Sequence, residues 1–411
     1  GLTCAELRWI GHNMADKARV DVSGNCGFIT FFEWSTVRRI DPATQDHAEM
    51  NCDCPEGRLC SYIDDAIFRL LLGLIPNMEI IHMSGIFQPD IQKYSDVVSL
   101  PRLVAGAVQA GSKLISLKFQ KMNLQGHFPD AFGQLRHLEH LDLDGTYLPG
   151  PIPEGVFKNW TKMRDLILAD CQLRGPLPLS ISALSNLEEL KMTGNHFTGT
   201  IPQGLFQLTK LTKLELNNFT VASGPFENLF ALTRLADLDW NHMPQMTGSI
   251  SKGISALSAL SSLSLYDLPT LSGPIPAEIG SLSRLKKLIL RNVGLSGKLP
   301  ENIGSLAELT ELDVSGNPEL IGAIPANITR LSRLRELHLS DNKGLNGSLP
   351  VGFENMQGLT VLSLPLGVNA SKRERIGGLC AGGANGFFYK CCCTAGCDGN
   401  GNNQIKPINC R

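Results

Sequence analysis

The sequence predicts an α/β repeat solenoid, a fold in which short coils of chain stack around one extended core. Three observations predict it. A leucine pattern recurs every 24 or 25 residues from residue 114 onward, a segment with Gly and Pro follows most of these patterns, and cysteines cluster towards both ends of the chain. Units of this length cannot bury their apolar residues alone, so neighbouring units must share a core.

The leucine pattern defines eleven repeats, which begin at residues 114, 138, 163, 187, 211, 235, 260, 285, 309, 334 and 359. One repeat reads Leu285-x-x-Leu288-x-Leu290 and then Leu295-x-Gly297-x-Leu299-Pro300. Alternation in L-x-L places leucines on one face of a short strand. The following Gly permits a turn that a Cβ would obstruct, and Pro suits an irregular segment because it has no N–H to donate.

These motifs resemble the plant-type leucine-rich repeat proteins, which include receptor ectodomains and secreted inhibitors of cell-wall polygalacturonases. The resemblance covers about residues 74–366. It implies a leucine-rich repeat right-handed superhelix with a parallel concave sheet and a second short strand near the L-x-G motif. We expect disulfide-stapled N- and C-terminal caps at the two ends.

The chain departs from the family at the position three residues after the last strand leucine, where the family usually has Asn. Only three of ten such residues are Asn here: Met122, Thr146, Cys171, Asn195, Phe219, Met243, Leu268, Val293, Asn317 and Asn342. We therefore expect apolar packing in much of this column, with Cys171 as a buried free thiol. The repeat around Asn218 also has Gly224-Pro225-Phe226 in place of L-x-G-x-I-P.

Four segments follow from this pattern. We expect an N-terminal cysteine-containing cap over 1–77, a degenerate first repeat with an insertion over 78–113, eleven repeats over 114–369 and a Gly/Cys-rich C-terminal cap over 370–411. Ser61-x-x-Asp64 before an apolar run predicts a capped helix that Pro76 ends. Met78-x-x-Ile81-x-Met83 fits the repeat template once.

The positions of the cysteines predict disulfides in the two caps and an oxidising compartment. The pairing cannot be derived from the sequence, and the N-terminal group has an odd number, so one cysteine there is left for the tail, for another molecule or for no partner. The predicted disulfide cysteines are Cys4, Cys26, Cys52, Cys54, Cys60, Cys380, Cys391, Cys392, Cys393, Cys397 and Cys410.

Two metal sites in the tail are weaker alternatives. A zinc site would need reduced thiols, which are unusual in secreted proteins. Asp398-x-Asn400-x-Asn402 begins like a calcium loop, but Asn403 replaces the turn Gly and Asn409 replaces the bidentate Glu. We expect no metal and no cofactor.

Several features favour a secreted or extracellular location, in a cell wall or matrix if the chain is structural. The chain begins with Gly1, as a processed chain would, and no apolar run reaches the ~18 residues of a membrane span. Five N-x-S/T sequons predict N-linked glycans at Asn159, Asn218, Asn327, Asn346 and Asn369.

Catalysis and nucleic-acid binding are disfavoured. The sequence has no nucleophile elbow, no Gly-rich phosphate loop and no H-E-x-x-H motif, so we predict that it is not an enzyme. The net charge is −2 and the pI is about 6.5, so no global basic field attracts nucleic acid.

The template places one set of charged residues on the outward side of the concave sheet. Thirteen are acidic and six are basic, a local net charge of −7 against −2 for the whole chain. This concave acidic face is either a solubility device or a docking face for a basic partner. The candidate partner-binding residues are Asp142, Asp144, Asp165, Asp170, Glu189, Glu215, Asp237 and Asp239.

Three functions remain open, all by protein–protein contact. The first is recognition of an extracellular partner on the concave acidic face, which should be sensitive to salt. The second is self-association into an extracellular fibre or wall layer, which a monodisperse monomer at high concentration would contradict. The third is inhibition of a cell-wall-degrading glycoside hydrolase, which rests on the family resemblance alone.

Overall fold

The computed structural model describes residues 18–22, 29–34, 80–84, 98–109, 111, 113–121, 124–219, 224–365, 367–369, 379–381 and 387–390. In this part of the chain sixteen strands form one sheet that runs along the molecule. Its strands in spatial order are β1 Ala18–Val22, β2 Ile29–Trp34, β3 Ile80–Ser84, β5 Ser116–Gln120, β7 His140–Asp142, β8 Asp165–Ile167, β10 Glu189–Lys191, β12 Lys213–Asn217, β14 Asp237–Asn241, β16 Ser262–Tyr266, β17 Lys287–Arg291, β19 Glu311–Asp313, β21 Glu336–His338, β24 Val361–Ser363, β27 Phe387–Lys390 and β26 Leu379–Ala381.

The eleven strands from β5 to β24 are the eleven predicted repeats, and they pair in parallel at a constant register. Leu190 lies opposite Leu214, which lies opposite Leu238 and then Leu263. All four leucines have no exposed surface. The buried leucines form one continuous hydrophobic core, so the predicted leucine-rich repeat solenoid is confirmed.

A second set of short parallel strands flanks the core near the L-x-G motifs, as the resemblance implied. These strands are β4 Val98–Ser99, β6 Leu124–Gln125, β9 Arg174–Pro176, β11 His196–Thr198, β13 Gly224–Pro225, β15 Met246–Thr247, β18 Ser296–Gly297, β20 Glu319–Gly322, β22 Gly344–Leu345, β23 Gly347–Ser348 and β25 Val368–Asn369. The irregular repeat around Asn218 still supplies β13, which pairs with β15.

The convex side of each coil is a 3₁₀ helix that begins at or soon after the Pro of L-x-G-x-I-P in most repeats. Ten are described, at Asp130–Gln134, Val156–Asn159, Leu179–Ala183, Gln203–Gln207, Phe226–Ala231, Lys252–Ala256, Ala277–Ser281, Glu301–Ser305, Ala326–Arg330 and Phe353–Asn355. Two glutamates link these helices. Glu154 accepts hydrogen bonds from the N–H groups of Leu179 and Ser180, and Glu301 accepts from those of Ala326 and Asn327.

Each concave strand is followed by a residue in the left-handed region of φ. Ten repeats show it, with φ between 51° and 71°, at Lys121, Gly145, Asp170, Gly194, Asn218, His242, Asp267, Asn292, Gly316 and Asp341. Gly adopts this conformation freely, and Asn and Asp tolerate it better than most residues. The chain therefore leaves the sheet by the same backbone turn in each of these coils.

The inner column that follows this turn is buried throughout its described part. Asn317 shows how an Asn serves there: it accepts from the N–H groups of Val293 and Leu295 and donates to the carbonyls of Leu290 and Val314. Phe219, Met243, Leu268 and Val293 fill the same column elsewhere and are fully buried.

Cys171 also occupies this column. It is fully buried, and it is the free cysteine among the described residues. Its thiol lies 3.1 Å from the carbonyl oxygen of Leu143 and 3.2 Å from that of Ala169. Burial raises the pKa of this thiol to about 12, so it stays protonated and chemically quiet at neutral pH.

The N-terminal part contains an element that the sequence pattern did not predict. Helix α1, Leu100–Gln109, lies in the segment expected as an insertion, and it buries Leu100, Leu103, Val104 and Ala107. The strand β3 pairs in parallel with β5, and helix α1 packs against the convex 3₁₀ helix Asp130–Gln134 of the next coil.

Several predictions fall on residues that lie outside the described part of the chain. These are the capped helix before Pro76, the two metal alternatives and the disulfide cysteines Cys4, Cys26, Cys52, Cys54, Cys60, Cys391, Cys392, Cys393, Cys397 and Cys410. Cys380 lies in β26, which pairs antiparallel with β27, and its side chain is outside the described part.

Candidate functional site on the concave surface

The constant register stacks the outward side chains of the concave sheet into columns. Lys213, Asp237 and Ser262 follow one another in one column, and Glu215, Asp239 and Ser264 follow in the next. Neighbouring strands are about 4.8 Å apart, so charged groups in one column interact along the sheet. Ion pairs and hydrogen bonds between these side chains decide which acidic residues remain available to a binding partner.

The N-terminal part of the concave acidic face is less exposed than the template predicts. Asp142 was expected to face solvent, but it is only 4% exposed. Gln120 covers it and donates a hydrogen bond of 2.6 Å to its carboxylate, which also accepts from the N–H of Asp144. Asp142 therefore stabilises the strand end and is not a contact residue.

The other acidic residues of this part differ in their surroundings. Burial, and then repulsion from Asp142, raise the pKa of Asp144 above its ordinary value. Asp165 lies 2.5 Å from Nδ1 of His140, and Asp170 is exposed at the left-handed position after its strand.

Two lysines compensate the acidic residues at the centre of the sheet. The Nζ of Lys213 lies 3.3 Å from Glu189 and 2.9 Å from Glu215, and the Nζ of Lys191 lies 3.4 Å from the other oxygen of Glu215. The hydrogen bond to Glu215 raises the pKa of Lys213, so the lysine remains charged. Glu189 and Glu215 are thus largely satisfied within the molecule.

Asp237 and Asp239 are different, because no described cation forms an ion pair with them. The carboxylate of Asp239 accepts a hydrogen bond from the side-chain amide of Asn241. Burial, and then repulsion from Glu215 and Asp237, raise the pKa of Asp239 to about 6. Lys287 and Lys191 oppose part of this rise in pKa but form no ion pair with Asp239, and a cationic group placed on the carboxylate would complete the compensation.

The strand beyond these aspartates presents small and aromatic side chains. Ser262 and Ser264 lie opposite Asp237 and Asp239, and Tyr266 lies opposite Asn241. The ring of Tyr266 packs edge-on against His242 with centroids 4.8 Å apart. Because Ser264 is only 7% exposed, we name Asp237, Asp239, Ser262 and Tyr266 the central concave patch.

The leucine template identified the two aspartates of this patch but not its aromatic side. Sequence reasoning could have found Tyr266, because it is the one aromatic residue at the sixth position after the first leucine in the described repeats. The ring of His242 is held by Asp267, whose carboxylate lies 3.0 Å from Nδ1.

In the C-terminal half of the concave surface, more of the acidic side chains have a partner within the molecule. Lys287 lies 3.1 Å from Glu311, and Nε2 of His338 lies 3.5 Å from Glu336. Asp313 accepts hydrogen bonds from the N–H and hydroxyl of Ser315.

The predicted glycosylation sites occupy different surfaces. Asn159 and Asn327 lie in convex 3₁₀ helices, and Asn346 is exposed between two flanking strands. Asn159 donates an amide N–H to the carbonyl of Gly133 at 2.8 Å, so a glycan there would share its nitrogen with a hydrogen bond between coils. Asn218 is half-buried at the end of β12, and the side chain of Asn369 is outside the described part.

The described residues include no cluster of three or more His, Cys, Asp or Glu with the geometry of a metal site. Among those same residues, no helix is long and apolar enough to cross a membrane.

Comparison with known proteins agrees with the architecture. A family model for a leucine-rich repeat region matches residues 246–378, and a second model for the leucine-rich repeat matches residues 186–208. These matches and the repeat solenoid are consistent with a leucine-rich repeat protein of the plant type. A search of curated proteins finds no match to it.

Solved structures similar to this leucine-rich repeat protein include plant receptor ectodomains. The ectodomain of the Arabidopsis receptor kinase HAESA, solved with an IDA peptide hormone, has 28% identity and a TM-score of 0.52, over 65% of this chain and 48% of that one. The ectodomain of GASSHO1/SCHENGEN3 from Arabidopsis thaliana, solved with CASPARIAN STRIP INTEGRITY FACTOR 2, has 23% identity and a TM-score of 0.58, over 74% and 42%.

A bacterial structure shares the fold as well. A leucine-rich repeat protein of Leptospira interrogans has 22% identity and a TM-score of 0.53, over 76% of this chain and 84% of that one. The chain spans about half the length of the plant ectodomains that it matches. The leucine-rich repeat ectodomain fold is typically non-catalytic, and solenoids of this kind present an extended concave binding surface.

Proposed function

We propose that this leucine-rich repeat protein is an extracellular, non-catalytic recognition scaffold that binds a protein or peptide with a basic segment on its concave surface. The observation that carries the proposal is the pair of uncompensated carboxylates of Asp237 and Asp239 in a sheet whose other acidic residues mostly have partners. The peptide-bound HAESA ectodomain supports the class of partner.

The central concave patch accounts for a basic side chain in particular. A Lys or Arg of the partner placed between Asp237 and Asp239 would receive two carboxylates, and Tyr266 on the adjoining strand offers an aromatic surface for cation–π contact. Ser262 on the adjoining strand is a small, half-buried side chain that adds little bulk beside the two aspartates.

The experiment selects binders from a peptide library displayed on phage, with the full secreted chain as bait, and measures the affinity of the selected peptides by calorimetry. We expect peptides with Lys or Arg, and affinity that falls as salt rises. Asp237→Asn with Asp239→Asn should weaken binding about tenfold or more, because both partners of the basic side chain are lost.

The matched control is Glu278→Gln with Glu354→Gln, which removes the same charge from exposed convex positions. It should bind the selected peptides as the natural chain does. Selected peptides without basic residues, or equal loss of affinity in both double variants, would contradict a concave recognition site.

A further inference from the structure

A second charged surface runs along the edge of the solenoid where the chain enters each concave strand. It consists of the two residues before the first leucine of each repeat and the residue after it. Ten of these residues are Lys or Arg and three are Glu: we name the ten the basic edge, Lys113, Arg136, Lys162, Arg164, Lys210, Arg234, Arg284, Lys286, Arg333 and Arg335. The sequence template considered only the concave columns and missed this edge.

The edge is physically continuous, because backbone hydrogen bonds join its residues from coil to coil. The N–H of Arg164 donates to the carbonyl of Glu139 and the N–H of Glu188 donates to that of Arg164, both at 2.7 Å. The same ladder reaches Lys286 and Arg335 farther along. Side chains also meet across coils, since Nζ of Lys210 donates to the amide oxygen of Asn186 at 2.5 Å.

Most of these cations are not used within the described part of the chain. All ten are exposed. Arg164 pairs with Glu188 and Arg333 pairs with Glu308, and the other eight form no ion pair with a described residue. Glu139, the third acidic residue of the edge, is half-buried.

The spacing of these cations identifies the shape of the ligand. Coils follow one another at about 4.8 Å, so the ten cations of the edge average roughly one per 5 Å over about 45 Å, and two of them are paired with glutamates. A linear polysaccharide with one carboxylate or sulfate on each sugar ring carries negative charges at a similar pitch. We propose that the basic edge binds a linear anionic polysaccharide, so that the chain is anchored to an extracellular matrix while its concave surface stays open.

The edge does not have the features of a nucleic-acid site. Proteins that bind single-stranded nucleic acid combine positive charge with aromatic side chains on which bases stack. The three residue columns of the edge contain no Phe, Tyr or Trp in the eleven repeats. The charges are also interrupted in three coils: the coil at Leu260 has Ala259 and Ser261, and the coils at Leu187 and Leu309 carry Glu188 and Glu308 without a cation.

The test measures binding of the full secreted chain to polygalacturonate, to heparin and to a single-stranded oligonucleotide of similar length, by biolayer interferometry at low and high salt. We expect binding to at least one polysaccharide, with an association constant that falls steeply with salt. A preference for polygalacturonate would identify carboxylated ligands and a preference for heparin sulfated ones, and either supports the proposal.

The decisive variant is Lys162→Gln with Lys210→Gln and Arg234→Gln, which we expect to weaken polysaccharide binding about tenfold. The control, Lys158→Gln with Lys252→Gln and Lys343→Gln, changes the same charge at exposed positions outside the edge and should bind normally. All six side chains are exposed, so both variants should fold, which circular dichroism checks.

Three results would overturn the proposal. One is no binding to either polysaccharide at low salt. Another is equal loss of binding in the edge and control variants. The third is an oligonucleotide that binds as tightly as the better polysaccharide. None of these results depends on the concave aspartates, so the recognition proposal is tested separately.

Discussion

Single side chains of the inner column hold successive coils together. Asn195, Asn317 and Asn342 each use their amide to bond backbone groups of their own coil and of the preceding one. Where the column is apolar, dispersion contacts take over this role. Removing an Asn of the column should destabilise the protein more than shortening an apolar side chain there. The reason is that an unpaired buried N–H lowers stability more than a lost methyl group does.

Asn317→Ala tests this difference. The N–H groups of Val293 and Leu295 and the carbonyl of Leu290 would lose their side-chain partner in a buried site. We expect the free energy of unfolding to fall by about 3 kcal/mol, measured by urea denaturation. Asn355→Ala, at an exposed convex position, should stay within about 0.5 kcal/mol of the natural chain. Equal effects would show that the amide has no special role.

Asp239 gives a prediction for pH. Its pKa is raised from 3.8 to about 6, so the folded chain binds this proton more tightly than the unfolded chain does. As pH rises between about 4 and 6, the ionisation of Asp239 therefore lowers the free energy of unfolding. Above about 6 this loss of stability has reached its full size. Asp239→Asn should raise Tm at pH 7 relative to the natural chain and leave it nearly unchanged at pH 4.

Thermal scans at both pH values check this, with Glu354→Gln as the control for loss of one exposed carboxylate. The prediction fails if Asp239→Asn changes Tm equally at pH 4 and pH 7. A basic partner on the patch would oppose the raised pKa, so its affinity should also decrease as pH falls through 6.

The sequence predicted residue identity at the site better than residue environment. The two-residue alternation places Asp237 and Asp239 on the outward side of the sheet, and the structure puts them there. It also placed Asp142 there, but Gln120 from the preceding coil covers that carboxylate. Such coverage depends on the rotamer of a neighbour 22 residues away, and periodicity carries no information on it.

At the scale of secondary-structure elements, glutamate carboxylates of one coil cap the start of the 3₁₀ helix in the next coil. Glu154 and Glu301 follow the Pro of their repeats directly and accept backbone N–H groups at the start of the next 3₁₀ helix. Glu227 has a related role, because it accepts from the N–H and hydroxyl of Ser249. Glu154 and Glu301 satisfy donors that the helix start leaves free, whereas Glu227 bonds Ser249 before the next helix begins.

Glu301→Ala should destabilise the protein by about 1 kcal/mol, the usual cost of losing a cap. Hydrogen exchange should show the effect at the N–H groups of Ala326 and Asn327, which lose their acceptor. Glu278→Ala is the matched control, because Glu278 is exposed at the start of a neighbouring 3₁₀ helix and forms no hydrogen bond through its carboxylate with a described residue. Faster exchange confined to the Glu278 variant would contradict this account.

The elements differ in how well the sequence predicts them. Concave strands follow directly from the leucine alternation, and their bounds fall where the pattern places them. Helix α1 was missed because its segment lies outside the repeat template. Its buried residues Leu100, Leu103, Val104 and Ala107 nevertheless have the spacing of an amphipathic helix, so a local test of periodicity would have found it.

The whole molecule is a series of coils that contact mainly their neighbours. We therefore expect the protein to tolerate the deletion of one complete coil. Removing residues Leu309–Arg333, a segment of 25 residues, would place Asn342 where Asn317 now serves Val293 and Leu295. We expect the shortened chain to fold with the same circular dichroism per residue and a slightly lower Tm.

Removing Asp313 alone should be far more damaging, although it deletes one residue and not 25. The deletion shifts the register of β19 by one position and turns Val314 from the core to the solvent. A single-residue deletion that retained the natural Tm would show that register is not fixed by the leucine columns.

At the scale of the whole molecule, the sequence predicted the solenoid and the negative sign of the concave charge. It did not predict which of the acidic residues form ion pairs and which do not. Counting residues gave −7 for the concave columns. The structure shows that Lys191, Lys213 and Lys287, which are already included in that count, pair with particular glutamates and leave the two aspartates of β14 without an ion pair to a described residue. The balancing positive charge is concentrated in the basic edge, which emerges only when residues flanking the first leucine are aligned coil by coil.

The parallel sheet from β5 to β24 also determines how the molecule would respond to a pulling force. Each strand in it pairs only with the strand before and the strand after, so tension applied at one end would load a single coil at a time. A detached coil of 24 or 25 residues releases about 85 Å of extended chain. Stretched between a matrix and a partner, the solenoid would lengthen in steps of that size and act as an extensible tether.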